Sequence, residues 1–392
     1  MHAAVTGLLG RRVRLGLVGG GGASLIGPVH RVAARFDDCF EIVAGMLSSK
    51  PEKALAEAQA LGLPRGYADM ATMLAEEAKR PDGIDAVAIM TPNDSHEHHA
   101  EMALAAGLDV ICDKPLTNDL PSALKLVENA RSRGLVFCLT HNYSGYPMIR
   151  EARCAVAENE LGPLRVATVS YVQGSLGTRV EDKPEAMLER TRWRLDPARG
   201  GLSHVMGDIG THAHQLLSFV TGRKVEAVLA DVGAAMPGRE THDTASVILR
   251  LEGGVRGMMF ATKAATGAEN AMSLEVYGEA GGLHWAQVAA NELRVMRNAR
   301  PAEIRTRGLP TLHEYSRRAA RIPPGHPEAF FEAFANIYSD FAVLVAARRA
   351  GKAPDPFAAL APTAADGAEG LAFIDACLES TASGTWAKVR QL

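Results

Sequence analysis

The sequence predicts an α/β protein with a parallel, helix-crossed sheet in its first 140 residues and a strand-rich remainder. Three observations carry this. Short apolar runs alternate with helical stretches from residue 13 to residue 140. A glycine run, Gly19-Gly20-Gly21-Gly22, follows the first apolar run directly. Past residue 160, strand-like runs are separated by turn residues.

The elements follow in order. Val13 to Val18 is an apolar run ending in glycines, which suits a strand buried on both faces. A helix is expected from Pro28 to Arg35, where an early proline is tolerated because the first helical N–H groups lack partners. Phe40 to Leu47 reads as a strand, and the Ala/Glu/Lys-rich segment Pro51 to Leu61 as a helix stopped at Gly62. Residues 69–79 form another helix. Ile84 to Met90 is a strand, Glu97 to Ala106 a helix ending at Gly107, and Leu108 to Cys112 a strand. Asp119 to Arg133 is a helix, and Leu135 to Thr140 the next strand. Strands alternating with helices imply right-handed crossovers and a ligand site at the carboxyl ends of the strands. Further on, strands are expected at Leu164 to Tyr171, Val225 to Val232, Ala245 to Leu251, Gly254 to Thr262 and Ser273 to Gly278. Gly253-Gly254 reads as a hairpin turn between two of them. The run Ala245-Ser246-Val247-Ile248-Leu249 does not alternate well enough to give the polarity of its faces. The change of pattern divides the chain into a loose leader (1–12), a first domain (13–145) and a second (146–392).

Composition narrows the function classes. The net charge of −3 over 392 residues gives no field for nucleic-acid phosphates. Hydrophobic residues at 47% and charged residues at 22% suit two packed cores. No run approaches the length of about 18 apolar residues expected of a membrane helix, so no membrane partner is expected. The five cysteines are scattered without a CxxC pair, which argues against thiolate zinc and a disulfide framework, and for the cytoplasm.

The segment from Gly19 to Gly27 is where a dinucleotide pyrophosphate would lie. Glycines let backbone N–H groups approach phosphate, and the helix N-terminus adds partial positive charge. Gly19, Gly21, Gly22, Ser24 and Ile26 are the candidates of this turn. Gly19 and Gly21 fit the first two glycines of the dinucleotide fingerprint, but five residues rather than two precede Gly27. After the second strand, Ser48-Ser49-Lys50 stands where NAD enzymes carry an acid for the ribose 2′-hydroxyl. With no carboxylate there, and with Lys50 and Lys53 at hand, the cofactor reading is NAD(P) with a lean to NADP.

Three further segments give a resemblance. Thr91-Pro92-Asn93-Asp94-Ser95-His96 and Cys112-Asp113-Lys114-Pro115-Leu116 stand at expected strand ends, and Gly207-Asp208-Ile209-Gly210-Thr211-His212 lies downstream. Jointly with the glycine turn, they resemble the Gfo/Idh/MocA oxidoreductases over roughly residues 13–390. Two departures are Asp113, where that family usually has Glu, and the stretched glycine turn. The resemblance implies a doubly wound Rossmann domain followed by an α/β domain with a large, mostly antiparallel sheet. It implies hydride transfer between a nicotinamide and a secondary alcohol or ketone of a sugar, inositol or related polyol. It carries over Lys114, Asp208 and His212 as catalytic, and Thr91, Pro92, Asn93, His96, Asp113 and Lys114 as cofactor-lining. It also implies a homodimer or homotetramer, because the family's sheet usually buries its open face against another subunit. A non-catalytic cofactor- or sugar-sensing regulator on the same fold is the alternative.

The residues suit such chemistry. Lys114 precedes a proline, which favours extended or turn backbone, and a partly desolvated amine there could accept a proton. Asp208 and His212 are four apart and share a face if helical. Lys114 or His212 would take the hydroxyl proton while Asp208 orients the substrate and stabilises the protonated base. Tyr143, Trp193, His204 and His326 are candidate substrate contacts, Tyr146 sharing the stacking role of Tyr143. His96, His98 and His99 lack a fourth ligand at a convincing spacing, so no metal is expected. The Arg-rich segment 294–321 reads as a solvated or subunit-facing stretch or as a clamp for an anionic sugar.

Overall fold

The structure, a computed structural model, describes residues 1–22, 24–182, 185, 187, 189–201 and 203–392. The chain forms two compact units. Residues 1–145 and 330–368 make the first; residues 146–329 and 369–392 make the second.

The first unit holds a six-stranded, all-parallel sheet of β1 (Val13–Gly19), β2 (Phe40–Met46), β3 (Arg65–Gly66), β4 (Ala86–Met90), β5 (Asp109–Cys112) and β6 (Phe137–Leu139). Their spatial order is β3-β2-β1-β4-β5-β6. This is the strand order of a Rossmann sheet, whose switch point lies between β1 and β4. Every residue of β4 and β5 is buried, as expected of continuous apolar runs under helices on both faces. The crossover helices Met70–Glu77 and Leu120–Ser132 start where Asp69 and Asp119 accept the N–H groups of Thr72 and Ser122.

Two expectations for this unit are corrected. The leader is no loose segment: His2–Leu9 is a helix that buries Val5 completely, and it packs on helix Phe330–Arg349. Residues 330–368, expected in the second domain, pack with the first. The reason is the long helix Phe330–Arg349, whose Phe334, Ile337, Tyr338, Phe341 and Val345 join the core of Leu15, Ala33, Ala34 and Phe40. Each such side chain contributes about 1.5–3 kcal/mol on burial. This helix is long and apolar enough to cross a membrane by length and composition, yet 78% of its most apolar 18-residue stretch is buried in the structure.

The second unit carries a nine-stranded sheet in the order β14-β13-β12-β11-β7-β10-β9-β8-β15. Its strands are β7 (Leu164–Val172), β8 (Val225–Gly233), β9 (Thr244–Leu251), β10 (Arg256–Thr262), β11 (Ala271–Gly278), β12 (Gly282–Ala286), β13 (Glu292–Met296), β14 (Glu303–Thr306) and β15 (Ala387–Lys388). Only β7 and β10 pair in parallel; the sheet is otherwise antiparallel. β9 and β10 form the expected hairpin, with Gly253 and Gly254 at φ 75° and 79°. Helices Pro147–Ala157 and Thr211–Thr221 cover one face. β9 alternates fully, with Ala245, Val247, Leu249 and Leu251 buried and Ser246, Ile248 and Arg250 exposed. Its pattern reads as mixed in the sequence because Ile248, an apolar residue, points outward.

Three of the eight arginines of 294–321 are committed within this unit. Arg305 bonds Glu160 and Glu151, Arg297 bonds Glu160, and buried Arg307 bonds Glu328 at 2.9 Å. Arg297 and Arg305 tie the segment 292–328 to helix Pro147–Ala157 and the turn after it, and Arg307 ties the segment to itself, so the three arginines are structural.

Candidate active site

The sequence candidates fall into a cofactor-side group in the first unit and a helix-borne group in the second. In the first, all segments stand at carboxyl ends of β1, β2, β4 and β5, where such sheets bind ligands.

The glycine turn closes tightly on the helix Ile26–Phe36. Gly19 and Gly20 hold φ of 79° and 74°, a region that disfavours any side chain. A Cβ on Gly27 would lie 2.0 Å from the Gly20 carbonyl, so Gly27 permits the close helix–turn packing of the fingerprint's last glycine despite the longer spacing. Ser24 Oγ accepts the Gly27 N–H at 3.0 Å, and Arg31 donates to the Gly20 carbonyl at 2.6 Å. Ala23 lies outside the described residues. The Gly22 N–H donates to a carboxylate oxygen of Glu57 at 2.5 Å. An anionic oxygen on that amide is what a phosphate would offer, so the residues present fit a dinucleotide. Ser48, Ser49 and Lys50 follow β2 with partial to full exposure, and the Lys50 N–H bonds Ser48 Oγ.

The two later segments are joined by His96. Its ring is buried and contacts the carbonyls of Pro115 at 2.8 Å and Thr91 at 3.0 Å. His96 thus braces the loop after β4 against the loop after β5. Thr91, Pro92 and Asn93 around it are partly exposed, as is Lys114, whose bond to Pro115 is cis. Asp113 accepts from the Thr140 hydroxyl at 2.7 Å and faces His30 Nε2 at 3.7 Å. His30 in turn bonds the Tyr338 hydroxyl at 2.6 Å. Burial alone would push the Asp113 carboxyl up. His30, the Lys114 charge and the Thr140 hydroxyl outweigh it and hold the carboxyl well below the ordinary range.

In the second unit, Met206–Gly210 is a π-helical turn running into the helix Thr211–Thr221. The helical context expected for Asp208 and His212 is present, with a wider first turn of a kind frequent at functional sites. Asp208 is ion-paired with Lys263. His212 is 7% exposed, its ring 6.3 Å from that of Tyr171. His214, two residues on, stacks on Phe373 at 4.5 Å, and burial pushes its imidazole down to about 4.

The substrate candidates divide. His204 is buried just before the π turn, and Trp193 is half-buried with Arg194 over its ring at 5.2 Å. Tyr143 is 2% exposed in the first unit's core, and Tyr146 packs edge-on to Trp285, so neither offers a ring face to solvent. His326 is exposed on a loop whose carbonyls take the buried Arg307, a structural setting. Sequence reasoning missed Lys263, Glu57 and the His30–Tyr338 pair. Only Lys263 leaves a local trace, as a charged residue directly after an apolar strand.

Comparison with known proteins completes the assignment. Residues 13–141 match a family model described as the oxidoreductase family with an NAD-binding Rossmann fold. Residues 149–284 match the GFO/IDH/MocA C-terminal domain. The chain belongs to the Gfo/Idh/MocA oxidoreductase family. The uncharacterized oxidoreductase YfiI of Bacillus subtilis is 30% identical, over 96% of this chain and 97% of its own. An inositol dehydrogenase homolog from Azotobacter vinelandii, solved with NAD+, is 33% identical at a TM-score of 0.89, covering 96% of this chain and 97% of that one. An oxidoreductase from Sinorhizobium meliloti is 41% identical at a TM-score of 0.86, covering 96% and 100%. This Gfo/Idh/MocA protein is therefore an NAD-binding oxidoreductase, with the fold that its motifs implied.

Proposed function

We propose that the protein moves a hydride between NAD(H) and a secondary alcohol or ketone carbon of a polyol or cyclic sugar. The observation that carries this is the placement of Lys114. It stands at the carboxyl edge of the parallel sheet, on the loop that His96 ties to Thr91-Pro92-Asn93, in the unit whose glycine turn accepts an anionic oxygen. Supporting it, the Azotobacter vinelandii homolog was also solved with NADH and myo-inositol, at 32% identity and a TM-score of 0.88.

The bound nicotinamide supplies the hydride acceptor or donor. The turn N–H groups and the following helix N-terminus would hold the pyrophosphate, and Asn93 and Thr91 would line the nicotinamide side. Lys114 or His212 takes the substrate hydroxyl proton. Asp208, an anion beside Lys263, orients the hydroxyl and stabilises the protonated base.

The cofactor preference we propose is NAD, against the lean drawn from Ser48-Ser49-Lys50. Glu57 places a carboxylate at the glycine turn and lies 4.0 Å from Lys53, so one of the two lysines that could meet a 2′-phosphate is already paired. We also propose a cytoplasmic homo-oligomer built on the open sheet face, where Val166, Ile248, Met258 and Phe260 are 39–60% exposed. Sedimentation equilibrium showing a dilute monomer would remove that assembly.

A polyol and sugar panel, followed by nicotinamide absorbance with each cofactor, tests the reading. It predicts turnover with a cyclic polyol or sugar, and a higher kcat/KM with NAD than with NADP. Cofactor binding without turnover on any member would instead mark a sensor.

A further inference from the structure

The second unit contains a buried lysine that no motif points to. Lys263 directly follows β10 and is 6% exposed. Its backbone is held on both sides: its N–H donates to the Asp243 carbonyl at 2.9 Å, and its carbonyl accepts the Leu176 N–H at 2.8 Å. Asp243 is fully buried and anchors this clamp. Its carboxylate accepts from the N–H groups of Ala235 and Met236, the Thr244 hydroxyl, and the Arg239 guanidinium at 2.8 Å. Arg239 also bonds Glu181 and the carbonyls of Leu176 and Thr178. Position 263 is thus fixed by a web spanning residues 176–181, 235–244 and the end of β10.

From that fixed point the side chain reaches the π turn, where its ammonium donates to Asp208 Oδ2. His204 and His212 lie on the same helical segment as Asp208, the His212 ring is 6.3 Å from that of Tyr171 of β7, and the His242 carbonyl accepts the Val205 N–H. Behind Lys263 stand Asp243 and Arg239. A buried ammonium requires a compensating anion, and Asp208 provides one. A carboxylate so engaged keeps its charge as its surroundings lose water, and one of its oxygens keeps a fixed direction.

We propose that Lys263 is a positioning residue that holds Asp208 ionised and in one orientation. The catalytic consequence rests on the reading above that Asp208 meets substrate; the effect on the carboxylate does not. A purely structural lysine would pin the π turn to the sheet whatever its charge. A positioning lysine must also set where Asp208 titrates.

The test is a carbon-13 NMR titration of aspartate carboxyls in the full-length protein, with the Asp208 signal assigned by its loss in Asp208→Asn. In Lys263→Met the Asp208 carboxyl should titrate about one pH unit or more above wild type. In Lys263→Arg it should stay near the wild-type value. If Lys263→Met does not fold, Lys263→Gln, which keeps a hydrogen-bonding group without the charge, should show the same rise. An unchanged Asp208 titration in the folded neutral variant overturns the proposal. With the best polyol, Lys263→Met should lower kcat by about tenfold or more while the KM for NAD stays constant, and Lys263→Arg should restore part of the loss. Equal losses of kcat in the Met and Arg variants would make the lysine structural. Absence of wild-type turnover with any polyol would count against the dehydrogenase reading, and the NMR titration would still decide the role of Lys263.

Discussion

Two lysines stand just beyond buried strands, and they differ instructively. Lys114 follows β5 of the parallel sheet and is partly exposed, while its neighbour Asp113 is taken up by Thr140 and His30. Lys263 follows β10 of the antiparallel sheet, and its ammonium is buried against Asp208. Lys114 is partly open to solvent at the carboxyl edge of its sheet; Lys263 is buried beside a carboxylate. The same residue type at the same kind of position therefore sits in two different settings.

The largest effect that can break this contrast is Lys114→Ala. It should lower kcat by roughly 10²–10⁴ while leaving NAD affinity nearly constant in a fluorescence titration. Near-normal turnover would remove Lys114 from the chemistry. Next is Arg239→Met, which leaves buried Asp243 without its guanidinium and loosens the clamp behind Lys263. Its expected cost is about 3–5 kcal/mol of stability in urea unfolding, the range for breaking a buried ion pair on one side. A loss far below that would mean that the backbone and Thr244 bonds to Asp243 suffice.

A smaller effect should appear at His313, which lies 3.0 Å from Glu151 and 3.1 Å from Glu158. Burial lowers its pKa, but the two carboxylates outweigh burial and raise it above the ordinary histidine value. A raised folded pKa stabilises the fold fully below the unfolded value and loses that contribution as pH climbs through the folded one. His313→Gln should therefore be less stable than wild type near about pH 5–6, and the gap should shrink toward about pH 8. A gap that is constant across this range would assign the histidine a packing role alone.

The legibility of the molecule divides along similar lines. Five of the six strands of the parallel sheet are readable to within a residue or two, because runs such as Val13–Gly19, Phe40–Met46 and Ala86–Met90 are apolar and punctuated by turn residues; the two-residue β3 is not. The motif segments are readable because their chemistry sits in a few adjacent residues. The strands β12, β13 and β14 were not readable. They are four or five residues long, and the arginines of the last two suggest surface rather than sheet. The return of residues 330–368 to the first unit leaves no mark either, since no linker composition flags it and the apolar face of Phe330–Arg349 would suit any core. Lys263 escapes for the same physical reason. Its partner is 55 residues away in sequence, and only the folded sheet brings the charges together.

The central proposal is that Lys114 moves the substrate hydroxyl proton beside the nicotinamide, with Asp208 and His212 as the other candidate catalytic groups. A crystal structure of the protein with NADH and its best polyol tests it most directly. The account predicts one polyol hydroxyl hydrogen-bonded to Lys114 and His212, Asp208 oriented by Lys263 at the same polyol, and the adjacent carbon facing the nicotinamide ring. A polyol bound with none of these three side chains in contact would contradict it.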